Sequence, residues 1–229
     1  MKRMSVLGAG VLALVIATSG FAQTYPSNGY IGVFADAAGT SCCATAPTFV
    51  PTTLYVIAVL GGQLSGGITG AEFRLVFESM TGYLPPSFAA NPQAGVVIGN
   101  PIDTTPADPN DPYGLNIAFS ECQGANAGDH VLLGTVSIIN LGTGAPSDIT
   151  VRRKLPPQGV LDCPVLVDCV FPFFNQYCLT IQTPDVPPGD PYGEPVIFKS
   201  TLNKPCDTPN CGAIAVAPRT WSSVKDLYR

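Results

Sequence analysis

Ala71-Glu72-Phe73-Arg74-Leu75-Val76-Phe77-Glu78 alternates strictly, with Phe73, Leu75 and Phe77 on one side of an extended chain and Glu72, Arg74 and Glu78 on the other. Successive side chains of a strand point to opposite faces, so this period of two predicts an antiparallel strand with one dry and one wet face. The same pattern recurs downstream, where Leu115, Ile117 and Phe119 alternate with Asn116, Ala118 and Ser120. Leu54–Leu60 is apolar throughout and rich in strand-favouring residues, which places it at the centre of a sheet covered on both faces. Tyr30–Ala35, Val96–Ile98, Val131–Asn140, Ile149–Arg153, Cys178–Gln182 and Pro195–Ser200 complete a set of about nine strands. Glycine, proline, asparagine and aspartate cluster between them, at 61–67, 100–114, 124–129 and 185–193. No helical period of ten residues interrupts the body of the chain. The fold class that follows is all-β: an antiparallel sandwich of two sheets with stapled loops and a short C-terminal helix.

Composition agrees with this reading and narrows the partners. Of 229 residues, 46% are apolar and 12% charged, and 24 glycines with 23 prolines demand frequent turns. Lys2 and Arg3 precede an apolar run from Val6 to Ala17, and Gly20-Phe21-Ala22 puts small residues at −3 and −1 of a cleavage point. Residues 1–22 therefore read as a secretory signal peptide, leaving a sandwich domain over 23–204 and a tail over 205–229. Lys2 and Arg3 leave with the signal, so eleven basic residues fall to nine against sixteen acids, a formal charge of −7 instead of −5. A nucleic-acid surface needs a dense cationic stripe, and the one basic run is Arg152-Arg153-Lys154, so nucleic acid and anionic membranes are excluded as partners. Nothing after the signal reaches the roughly 18 apolar residues of a membrane-spanning helix.

All eight cysteines, Cys42, Cys43, Cys122, Cys163, Cys169, Cys178, Cys206 and Cys211, follow the signal. An even number in an exported chain predicts up to four disulfides, with connectivity open. Local loops are the first expectation, Cys163 with Cys169 and Cys206 with Cys211, while adjacent Cys42 and Cys43 take separate partners because joining them would strain the backbone. Zinc is disfavoured: there is no Cys-x2-Cys pair, and His130 is the single histidine. Asp162, Asp168 and Asp207 beside the cysteines also oppose a reactive thiolate.

Leu155–Cys178 departs from the strand pattern, with three cysteines, several prolines and the aromatics Phe171, Phe173, Phe174 and Tyr177. It reads as a disulfide-pinned excursion between strands, its aromatics either packed beneath the loop or displayed as a binding platform. Asp111-Pro112-Tyr113-Gly114 and Asp190-Pro191-Tyr192-Gly193 each read as a turn leading into a strand, with shared turn chemistry the simpler explanation of their likeness. Tyr113, Tyr192, Phe171 and Phe173 are thus the candidate binding aromatics. In the tail, Trp221, Val224, Leu227 and Tyr228 recur at helical spacing after a Thr220 cap. A helix this short requires a surface to dock on, and otherwise stays frayed.

Candidate chemistry is sparse. Asp103, Asp108, Asn110 and Asp111 supply hard oxygens within one loop and are the candidate calcium ligands, although EF-hand spacing is absent. No other cofactor is indicated. His130 beside Asp129 is the sole triad candidate, and no Gly-x-Ser-x-Gly elbow accompanies it. Glu72 and Glu78 are roughly 20 Å apart by strand rise, too far for paired-carboxylate catalysis.

Leu54–Leu60, Gly67-Ile68-Thr69-Gly70, the strand from Ala71 to Glu78, Gly114–Ser120 and Gly128-Asp129-His130-Val131-Leu132-Leu133-Gly134-Thr135-Val136 together resemble the cohesin pattern. In it a glycine-led aromatic strand precedes an aliphatic and aromatic alternation, a polar loop and a strand passing through a small residue. The resemblance covers about Tyr55 to Asn140. It implies a nine-stranded jelly roll, shared with several carbohydrate-binding modules, that binds a partner and performs no chemistry. The cysteines and the Leu155–Cys178 excursion lie outside it. The last ten residues are similar to a Trp-x-x-aliphatic-Lys ending of exported bacterial proteins, which implies a handling or attachment signal.

The expected function is therefore non-catalytic recognition of protein or carbohydrate, outside the cell or at its surface, with the periplasm as a further location. A structural subunit of an extracellular assembly is the alternative, and a hydrolase the third reading. Accessible aromatics would mark a carbohydrate binder, an open edge strand a structural subunit, and a pocket of converging acids an enzyme.

Overall fold

A computed structural model describes residues 29–104, 114–126, 128–155, 163–179 and 198–204. Residues 1–22, read above as a signal peptide, the tail with Trp221, Val224, Leu227 and Tyr228, the residues Asp108, Asn110, Asp111, Tyr113 and Tyr192, and Cys206 with Cys211 lie outside the described residues.

The described chain forms thirteen strands. In order they are β1 (Gly29–Phe34), β2 (Cys43–Ala44), β3 (Pro51–Leu60), β4 (Ile68–Phe77), β5 (Ser87–Ala90), β6 (Ala94–Asn100), β7 (Ile102–Asp103), β8 (Gly114–Gln123), β9 (His130–Ile139), β10 (Ser147–Arg152), β11 (Val165–Asp168), β12 (Gln176–Cys178) and β13 (Phe198–Leu202). Only a single 3-10 turn, Gly62–Gly66, is helical among the described residues. The strands build two sheets, one of four strands in the order β1-β3-β9-β5 and one of nine. The sandwich expected from alternation is the architecture observed. The count exceeds nine because β2 and β7 are two-residue pairings and β5 and β11 are four residues long, too short to show a period.

β4 organises the larger sheet by meeting two strands in succession along each edge. On one edge β8 pairs with Ile68–Phe73 and β7 runs parallel to Leu75 and Val76. On the other, β11 pairs with residues 68–72 and β10 with residues 74–77. Phe73, Leu75 and Phe77 of β4 point inward and are fully buried, against Ile31, Val33, Leu54, Val56 and Val136 of the smaller sheet. Phe73 meets Phe88 of β5 edge to face at 6.4 Å, an aromatic contact between the sheets. Gly134 makes room for the Phe88 ring, which a Cβ at 134 would strike. β3 lies between β1 and β9, central in its sheet as the apolar run requires.

Two expectations are corrected. Arg74 was placed on a wet face, yet it is wholly buried: its Nη1 donates to Asp103 Oδ2 at 2.7 Å and its Nε to Arg153 O at 3.1 Å. Alternation tells which residues share a side, not whether that side is covered, and β4 is covered on both faces at this end. The Leu155–Cys178 segment is more than a loop, because β11 and β12 form a hairpin that joins the sheet beside β4.

The disulfides are corrected with it. Cys163 is joined to Cys178, with Cα atoms 5.5 Å apart, and Cys169 to Cys122 at 5.7 Å. Cys163 and Cys169 flank a strand whose length holds them roughly 20 Å apart, beyond a disulfide's reach. The antiparallel register instead sets Val165 opposite Cys178, next to Cys163. Cys42 and Cys43 are also disulfide-bonded.

Candidate docking face

The half of the larger sheet that contains the β11–β12 hairpin presents an open face. Across β6, β8, β4, β11 and β12, directly opposed residues form two outward rows: Val96, Ala118, Gly70, Val167, Gln176 and Ile98, Asn116, Glu72, Val165, Cys178. The row between them points to the opposite side, as the pleat demands, where Ile117, Ala71, Leu166 and Tyr177 meet the core and Val97, at the edge, stays half exposed. Gly70 sits mid-face, where a Cβ would approach Ile117 O at 2.9 Å, and its missing side chain leaves a gap in the row. A trough of about 500 Å³ results, floored by Gly70, Ala71, Ile117 and Ala118 and bounded by Val165, Val167, Phe174 and Gln176.

Its polar content is small and ordered. Glu72 and Asn116 are half-buried neighbours in the second row. Behind them, buried Lys154 donates from Nζ to Asn116 Oδ1 at 3.1 Å. Burial raises the Glu72 carboxyl above the ordinary range, opposed by the Lys154 ammonium and the Asn116 amide. The trough thus offers one carboxylate, amides and hydroxyls among mostly apolar atoms.

The hairpin tip rises at the trough's end. Asp168 is buried, and its carboxylate accepts from Val170 N at 3.1 Å, Asn175 N at 2.8 Å, Asn175 Nδ2 at 2.9 Å and the Tyr177 hydroxyl at 3.2 Å. Burial pushes this carboxyl upward, but the donors from Asn175, Val170 and Tyr177 outweigh it and hold it below the usual range. With its backbone tied down in this way, the tip turns its apolar side chains outward: Phe171 is 81% exposed and Phe173 79%, with Val170 and Phe174 also exposed. Of the aromatics of this segment, Phe171, Phe173 and Phe174 are exposed and Tyr177 packs against the core.

Other sequence candidates lie elsewhere. Asp103 is buried beneath Arg74, and the described residues contain no group of three potential metal-ligating side chains. His130 opens β9 in the smaller sheet, with Nδ1 2.7 Å from Ala38 O, while Asp129 accepts from the Ala125 and Asn126 amides. Glu78 is exposed at the far end of β4. The trough residues Gly70, Ala118 and Val167 escaped sequence reading because each is ordinary alone. Their only signal was the run of small outward residues Asn116, Ala118 and Ser120 on β8.

No family model matches the chain, and no curated protein does. Solved structures with a similar arrangement include the sixth cohesin of scaffoldin B from Acetivibrio cellulolyticus, solved in complex with a Cel5 dockerin mutant, at 9% identity and TM-score 0.43, over 78% of this chain and 99% of that one. A type II cohesin domain from the cellulosome of the same organism shows 14% identity and TM-score 0.40 over 77% and 95% of the two chains. The seventh ScaB type I cohesin of Pseudobacteroides cellulosolvens shows 11% identity and TM-score 0.31 over 61% and 79%.

Proposed function

We propose that this chain is an exported, non-catalytic binding module of the cohesin-like kind that holds a protein partner on the open face of β6, β8, β4, β11 and β12. The observation that carries this reading is the pair of outward rows, a broad apolar surface with a trough at Gly70 and a fixed aromatic tip at its end. Exposed apolar area of this kind, rimmed by polar groups, is what protein interfaces bury. Among the described residues Glu72 is the one carboxylate of the trough lining, and His130 lies on the other sheet, which supports binding over hydrolysis. Disulfides suit an oxidising compartment outside the cytoplasm.

Carbohydrate is the second reading, favoured by the exposure of Phe171 and Phe173. A sugar ring stacks on a flat aromatic surface, however, and Phe171 and Phe174 stand at 79° to each other, edge to face, without a common plane. The test immobilises the oxidised protein and offers it the exported proteins of the source culture and, separately, extracellular polysaccharides, with and without calcium. The expected result is one identified protein retained by the native chain and lost from Ala118→Arg and Val167→Arg, whose circular dichroism is unchanged. Retention of polysaccharide alone, abolished by Phe171→Ala with Phe173→Ala, would replace the protein with a glycan.

A further inference from the structure

β6 reads Ala94-Gly95-Val96-Val97-Ile98-Gly99-Asn100, without a charge or a proline. One of its edges pairs with β8, and among the described residues no strand pairs with the other. Val96, Val97 and Ile98 are 51%, 45% and 56% exposed, on both faces of the strand. Such an edge offers unpaired N–H and C=O groups to any extended chain, and soluble proteins ordinarily blunt it with lysine, proline or bulges. Two irregularities bound its middle, the shift in β8 pairing between Ala94 and Val96 and a positive φ of 98° at Gly99, and between them Val96–Ile98 is regular.

We infer that the occupant of this edge is β6 of a second copy of the chain, paired antiparallel about a two-fold axis at Val97. Antiparallel partners point to the same face, so registers that keep both cores on one side must centre on a residue and not between two. An axis at Ile98 would set Val96 against Asn100 and Val97 against Gly99. The axis at Val97 sets Val96 against Ile98 and Val97 against its own copy. It alone opposes all the exposed aliphatic side chains to one another, and β-branched cross-strand pairs of this kind stabilise a sheet.

Charge points to the same occupant. The chain carries a net charge of −5, yet β6 contributes none of it, so two copies meet there without local repulsion. A two-fold pairing uses the same patch on both partners, so this contact occupies both β6 edges and closes at two. It also extends the outward rows of the docking face into the second copy, which places two troughs on one continuous surface. The seam is short and belongs with small interfaces, so the association is concentration-dependent.

Sedimentation of the oxidised protein, from low to high micromolar concentration, tests this. The expected result is a rise in mass from one chain to two. Val97→Lys, at a position already half exposed, is expected to raise the dissociation constant at least tenfold with an unchanged β-type circular dichroism spectrum. In Val97→Cys the two introduced thiols would face each other across the axis, with Cα atoms about 4.5–5.5 Å apart, within disulfide range. Peptide mapping is expected to find them joined, with the native bridges intact. One chain at every concentration, growth beyond two, unaltered association of Val97→Lys, or introduced thiols that stay free in the associated protein would each overturn the pairing. Loss of partner capture in Ala118→Arg leaves this measurement untouched, so the edge and the face fail separately.

Discussion

At position 74 the chain puts a guanidinium where a strand of alternating polarity would put a solvated side chain, and then buries it completely. A buried ion pair is costly to desolvate, so its parts are worth more to each other than the pair is to the fold. Replacing Arg74 by Met strips Asp103 of a donor at 2.7 Å and is expected to cost about 3–5 kcal/mol in urea unfolding. The double variant Arg74→Met with Asp103→Leu should recover most of that loss. Equal destabilisation of the single and double variants would show that the charge pair is not what holds this region. Sequence could not reveal this contact, because only the register of β7 beside β4 brings Asp103, from a loop rich in Asp and Asn, to Arg74. Phe73, Leu75 and Phe77, by contrast, were legible because apolar residues at a period of two have a single common explanation.

The β11–β12 hairpin is the element that sequence conveyed least. Its strands are four and three residues long, and cysteines, prolines and aromatics obscure any alternation. Besides its two disulfides and its pairing with β4, what holds its tip is a set of contacts to one carboxylate, that of Asp168. Because the folded carboxyl titrates below its ordinary value of 3.8, the stabilisation is fully present above that pH and is lost as pH falls below it through the folded value. Asp168→Ala is therefore expected to lose about 1–3 kcal/mol at neutral pH. The gap from the native protein should close progressively in melts taken below pH 3.8. A gap of constant size across that range would mean that the carboxylate's charge plays no part. The hairpin also shows why the face above it was hidden: Val167 meets Gly70, and Gly70 meets Ala118, only through pairings between segments that are remote in sequence.

For the whole molecule, local alternation and turn chemistry were enough to give the class, the two layers and the central place of Leu54–Leu60. They could not give the neighbours of β4, since its two edges recruit chain from near residues 102, 115, 149 and 165, and periodicity carries no information about pairing partners. The covalent map was closed to sequence for the same reason, and it has its own consequence for how the chain survives attack. Phe173 and Phe174 are exposed cleavage sites for a chymotrypsin-like protease, and they lie between Cys163 and Cys178. A cut there severs the backbone yet leaves both fragments tied together. Limited digestion is accordingly expected to leave one band on a non-reducing gel and to yield two fragments only after thiol is added; two bands without reductant would contradict the bridge. Damage at this exposed tip thus stays silent until the surroundings become reducing.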